Sequence, residues 1–92
     1  MIKSFKHKGL RLFFETGKTS GINSQHAKKL KQRLAVINDA EVIGDINLPG
    51  YRLHPLTGDR EGQWSVTVSE NLRVTFEFID GDAYIVNYED YH

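Results

Sequence analysis

A chain of 92 residues without cysteine has room for one domain and one modest core, and neither disulfides nor thiolate–metal centres can brace it. The hydrophobic fraction of 39% is ordinary for a globular protein, and no apolar run approaches the ~18–20 residues that span a bilayer. The opening Met1-Ile2-Lys3-Ser4-Phe5-Lys6 carries no apolar signal core, so the cytoplasm is the expected compartment and no membrane is expected as a partner.

The formal net charge is zero, but the sum hides a polarity. From Met1 to Arg33 the bases are Lys3, Lys6, Lys8, Arg11, Lys18, Lys28, Lys29, Lys31 and Arg33, against the single acid Glu15. From Leu34 onward only Arg52, Arg60 and Arg73 oppose eleven acids. Such asymmetry suggests one basic surface for a polyanion or an acidic protein. Two solvated, lysine-rich helix faces would look the same.

In chain order, residues 2–5 suit a short first strand. Residues 6–15 follow as a helix, with Leu10, Phe13 and Phe14 at the i, i+3, i+4 spacing of one buried face. Gly17 is placed to stop it. A second helix is expected from Ser24, a competent N-cap. Its apolar stripe is Ala27, Leu30, Leu34 and Ile37, and Lys28, Lys29, Lys31, Gln32 and Arg33 lie on its other sides. A weak helical turn falls within residues 38–50. Residues 51–54 are short and extended, with Pro55 biasing His54 toward extended geometry.

Residues 63–69 alternate strictly: Trp64, Val66 and Val68 on one face, Gln63, Ser65, Thr67 and Ser69 on the other. Residues 72–79 alternate too, with Leu72, Val74, Phe76 and Phe78 against Arg73, Thr75 and Glu77. Asp80-Gly81 is a two-residue hairpin signal, and residues 83–88 form the last strand. Two helices followed by an antiparallel meander make a small α+β domain covering residues 1–92. Period two then puts Arg73 on the face away from the helices. If Leu53 points inward, Arg52 and His54 point outward. The terminal Asp90-Tyr91-His92 leaves the last strand and can reach the same side.

These residues suit one chemistry. Metal-free RNA cleavage needs the ribose 2′-OH deprotonated, the 5′-oxygen protonated and the phosphorane charge stabilised. Histidine performs the proton transfers near neutral pH, and arginine holds the charge with a fixed fork of donors. His54, His92, Arg73, Asp90 and Tyr91 make up that set. Singly, each also fits a structural role: a surface histidine, a salt-bridged arginine, a frayed tail. The four histidines show no metal-ligand spacing, Gly58-Asp59-Arg60-Glu61-Gly62 is no phosphate loop, and no nucleophile elbow exists. No metal and no cofactor are expected.

At these residues the chain resembles the HigB-type toxins of the RelE-like toxin–antitoxin superfamily. The likeness is carried by the first ten residues, by Arg52-Leu53-His54-Pro55-Leu56 with Gly58-Asp59-Arg60, and by Trp64-Ser65-Val66 and Arg73-Val74-Thr75-Phe76. Gly81-Asp82-Ala83-Tyr84 and the closing Asn87 to His92 complete it. It implies a RelE-like fold, a small curved antiparallel sheet with two N-terminal helices on one face. It implies an endoribonuclease that cleaves messenger RNA in the ribosomal A site and so inhibits translation. The implied partners are a helix-turn-helix, HigA-type antitoxin, the 70S ribosome with its rRNA and mRNA, and operator DNA only through the antitoxin.

By motif, the resemblance assigns catalysis to His54, Asp90, Tyr91 and His92, with Arg73 contacting phosphate. RNA and ribosome contacts are expected from Lys3, Lys6, Lys8, Arg11, Lys28, Lys29, Lys31, Arg33 and Arg52. Two positions depart from the family pattern: Thr57 stands where lysine is frequent, and Leu72 where an aromatic residue precedes the strand arginine. Thr57 lends some weight to the rival expectation, a catalytically weak or inactive basic module that docks on an acidic protein or on rRNA.

Overall fold

The computed structural model describes residues 1–90; Tyr91 and His92 lie outside the described residues. Helix α1 (Lys8–Thr16) starts at His7, whose ring Nδ1 accepts from the Leu10 N–H at 3.0 Å. That bond satisfies one of the donors a helix leaves open at its first turn. It ends at Gly17, whose φ of 80° is the left-handed geometry expected there. Helix α2 (Ala27–Asp39) is entered through a 3₁₀ turn, Ser24–His26. Asn23, not Ser24, supplies the cap, accepting from the Gln25 N–H at 3.0 Å.

Four strands follow: β1 (His54–Pro55), β2 (Gln63–Thr67), β3 (Leu72–Ile79) and β4 (Asp82–Asp90). They form an antiparallel sheet in the order β1-β2-β3-β4. Asp80 and Gly81, with φ of 51° and 83°, make the tight turn that joins β3 to β4. Residues 2–5 do not form a regular strand. They run parallel to β4 through bridges at Ile2–Ala83 and Phe5–Val86, and Lys3 N–H donates to Ala83 O at 2.7 Å. This segment covers the outer edge of β4, while the two-residue β1 with its proline leaves little exposed edge on the other side.

The helices lie on one face of the sheet. Leu10 and Phe13 from α1 and Leu30, Leu34 and Ile37 from α2 join Val66, Val74, Phe76, Ala83 and Val86 in the core. Phe14, expected in that face, is 37% exposed: positions 10, 13 and 14 together span more arc than the sheet contact covers. Arg33, expected on the basic surface, is instead buried. Its Nε donates to Thr67 O at 3.0 Å and its guanidinium lies 4.2 Å from the Tyr51 ring centre. With Leu30, Leu34 and Ile37 it completes the 30-33-34-37 stripe, so helical spacing carries it inward, where a carbonyl and an aromatic face receive it.

Strand β4 contains a bulge. Glu77 pairs with Tyr84 and Thr75 with Asn87, so Ile85 and Val86 together oppose Phe76. Ile85 has φ 48°, costly for a β-branched residue. The Ser4 hydroxyl accepts from its N–H at 2.8 Å, so the bulge is supported by the N-terminal segment. No helix among the described residues is long and apolar enough to cross a membrane.

Candidate active site

The register builds the face turned away from the helices. His54, Ser65, Thr75 and Asn87 form one row across all four strands, and Thr67, Arg73 and Glu89 form the next. His54 and Arg73 therefore share the face turned away from the helices, as period two requires. At ~4.8 Å per strand and ~3.4 Å per residue, their backbones stand ~12 Å apart on a flat sheet.

His54 is exposed, and its Nδ1 lies 2.9 Å from the carbonyl of Arg52. A carbonyl only accepts, so Nδ1 carries the hydrogen and, in the neutral ring, Nε2 holds the lone pair. Arg52 itself adopts φ 51°, a strained value for a side-chain-bearing residue. The exposed imidazole thus has one nitrogen tied to the backbone and the other set to take a proton.

The centre of the face is a carboxylate that sequence reasoning did not select. Glu89 accepts from Arg60 at 2.7 and 2.5 Å through both oxygens, from the Thr75 hydroxyl at 2.6 Å and from the Asn87 amide at 3.2 Å. Arg73 Nη2 lies 3.5 Å from the same carboxylate. The Arg60 hydrogen bonds above all, helped by Thr75 and the two arginine charges and opposed by burial, hold Glu89 down to about 2. The same hydrogen bond raises Arg60 above its ordinary value, against burial. Two arginines thus share the one Glu89 carboxylate. One clue to Arg60 was present in the sequence: it is one of only three bases after Leu34, and the other two were already candidates.

Asp90 follows Glu89 on the strand. Asp90 pairs with Leu72, one residue beyond Glu89 and on the parity of Tyr88, so it belongs to the helix side of the sheet at its exposed end. It stands on β4, and His54 stands on β1 at the opposite edge. Tyr88 faces the helices, where its hydroxyl lies 3.1 Å from His26 Nδ1 and His7 meets its ring edge-on. Burial, and then the Asp90 charge, push its phenol above the usual value. Tyr91 and His92 fall outside the described residues.

Of the expected basic contacts, Lys3, Lys6, Lys8, Arg11, Lys28, Lys29, Lys31 and Arg52 are exposed, and Arg11 is paired with Glu15 at 3.3 Å. Lys28 and Lys31 line a groove of about 750 Å³ between the two helices, with Phe13, Phe14 and Leu34 along it. This helical surface lies across the molecule from the His54–Arg73 face.

Residues 3–92 match the HigB-like toxin family, described as RelE-like toxins of type II toxin–antitoxin systems. The chain is 61% identical over 92 residues, the whole of both chains, to Endoribonuclease HigB of Proteus vulgaris. It is 32% identical over 85 residues, 90% of each chain, to Toxin HigB-1 of Vibrio cholerae serotype O1. In fold it is similar to the crystal structure of a YafQ point mutant from E. coli, with a TM-score of 0.65 at 18% identity over 98% of this chain and 91% of that one. YafQ from E. coli strain BL21(DE3) gives a TM-score of 0.58 at 16% identity with the same coverage. The architecture is RelE-like, α+β, and the chain belongs to the HigB-like family of toxins of type II toxin–antitoxin systems.

Proposed function

We propose that this toxin is a ribosome-dependent endoribonuclease that cuts messenger RNA in the A site by metal-independent acid–base transfer, through a 2′,3′-cyclic phosphate. The endonuclease activity is supported by the full-length identity to Endoribonuclease HigB. The mechanism rests on one observation: an exposed histidine with Nδ1 committed to the Arg52 carbonyl lies on the same sheet face as Arg73, turned away from the helices. In this reading Nε2 of His54 exchanges a proton with the RNA. Arg73 stabilises the charge on the phosphorane, and His92 performs the complementary proton transfer. Asp90, held away from His54 by the width of the sheet, biases the terminal histidine two residues on, and Tyr91 positions the nucleotide.

Ribosome dependence is supported by the separation of the basic surface from this face. Lys3, Lys6, Lys8, Arg11, Lys28, Lys29 and Lys31 dock on ribosomal RNA and leave the open face to the message; Arg52 serves the message itself. The partner that restrains the toxin is a helix-turn-helix antitoxin of the HigA type, through which it reaches operator DNA, and the compartment is the cytoplasm.

The test is induction in a translating extract, with message ends mapped by primer extension in the presence and absence of ribosomes. Cuts inside codons, seen only with ribosomes and lost in His54→Ala, are expected. Absence of cuts under both conditions would turn the interpretation to a binding module, and cutting of naked RNA to a generic ribonuclease.

A further inference from the structure

The His54 side of the proposed catalytic face is weakly tied by the main chain, through two residue pairs. His54 sits on a strand two residues long, at one edge of the sheet, and Asp90 ends the strand at the other edge. After β1 the chain enters a 3₁₀ turn, Gly58–Arg60. Short strands and isolated turns have little hydrogen bonding of their own and open easily. This turn is held by one side chain that reaches across the sheet. From Arg60, Nε and Nη2 bond Gln63 Oε1 at 3.2 and 2.8 Å, and Nη2 approaches the Thr75 hydroxyl at 3.3 Å. Its Nη1 and Nη2 close the bidentate pair with Glu89 on β4. The strand order puts β2 and β3 between the two ends of that link.

Almost the whole Arg60 fork is thus committed to protein acceptors and is turned toward the sheet. The carboxylate it grips also meets Arg73 at 3.5 Å. One anion therefore ties the turn that follows His54, the strand arginine and the strand that leads to Asp90. We propose that Arg60 and Glu89 are positioning residues, a bridge across the open face that sets the separation of His54, Arg73 and the end of β4. This rests on the catalytic roles given above to His54 and Arg73. Arg60 touches no substrate in this scheme; it acts through the groups it holds, where a misplacement of ~1 Å costs as much as 100-fold in rate.

The experiment is single-turnover cleavage of message on ribosomes, over a range of toxin concentrations, with the melting temperature recorded for each variant. Arg60→Lys keeps the charge and loses the fork. It should lower the maximal rate by about 10–100-fold, leave the half-saturating concentration within about twofold, and leave the protein folded. Arg60→Lys/Glu89→Gln should be no slower than the worse single variant, because both break one bridge. Thr75→Val, which keeps the side-chain shape and removes only the hydroxyl that donates to Glu89, gives the same signature more weakly if Arg60→Lys melts below the assay temperature.

A folded Arg60→Lys at the parent rate would overturn the proposal. So would a raised half-saturating concentration at an unchanged maximal rate, which would make Arg60 a substrate contact. Undiminished cleavage by His54→Ala would instead remove the catalytic reading on which the bridge depends.

Discussion

Glu89→Gln is the most direct probe of the charge cluster on the sheet, because the folded protein lowers that carboxyl from an ordinary 4.5 to about 2. At ~1.36 kcal/mol per pH unit, the difference corresponds to about 3 kcal/mol of stability. Solvent screening takes little from this figure, since the side chain is only 19% exposed. The direction follows from linkage. A depressed folded-state value means stabilisation that is complete above the unfolded value and lost as pH falls through the folded one. The window is therefore about pH 4.5 down to 2, with roughly 2 kcal/mol already lost at pH 3.

Urea unfolding followed by Trp64 fluorescence, at pH 6 and at pH 3, reads this out. Other carboxyls titrate alike in both proteins and cancel in the comparison. The parent should lose roughly 2 kcal/mol more than Glu89→Gln between the two pH values. Parallel losses would show that the Arg60–Glu89 pair does not hold the carboxylate ionised, and the electrostatic account of the face would fail.

Three further outcomes are expected. Reversing Lys28, Lys29 and Lys31 to glutamate should weaken ribosome co-sedimentation, most at low salt, while unchanged binding would remove the docking role. Gly9→Ala would push its new methyl into the Gly21 backbone, and overpacking of this kind costs about 1–3 kcal/mol; a Tm drop of ~4–8 °C per kcal/mol should follow. His7→Ala removes the side chain that receives the Leu10 N–H, with an expected cost of about 1 kcal/mol in chemical denaturation; no loss would mean that another group caps the helix.

What could be foreseen from the sequence was what local spacing controls. The two helices, the alternation in β2 and β3, the Asp80-Gly81 turn and the outward placement of His54 and Arg73 all follow from periods of 3.6 and 2 and from turn chemistry. The parallel run of residues 2–5 along β4 was hidden because its partners, Ala83 and Val86, are some eighty positions away. Arg33 was misjudged by charge, although its place in the Leu30-Leu34-Ile37 stripe argued for burial. Arg60 and Glu89 were missed for a third reason: their pairing depends on which side of β4 faces out, and alternation alone assigns that side wrongly past an unseen bulge.

The extra residue at Ile85–Val86 sets the phase of everything after it in β4. Ala83 before it and Val86 and Tyr88 after it face the helices, while Tyr84, Asn87 and Glu89 face out. The same chain paired without the bulge would keep its composition and its hydrophobicity. It would also turn Tyr88 toward solvent and drive Glu89 into the apolar layer, exchanging the two faces of the strand. Loss of one residue at Ile85 should therefore be tolerated, because it removes the bulge and leaves Val86, Asn87, Tyr88 and Glu89 on their present faces, whereas a single-residue insertion would need a second bulge to keep Glu89 out of the core.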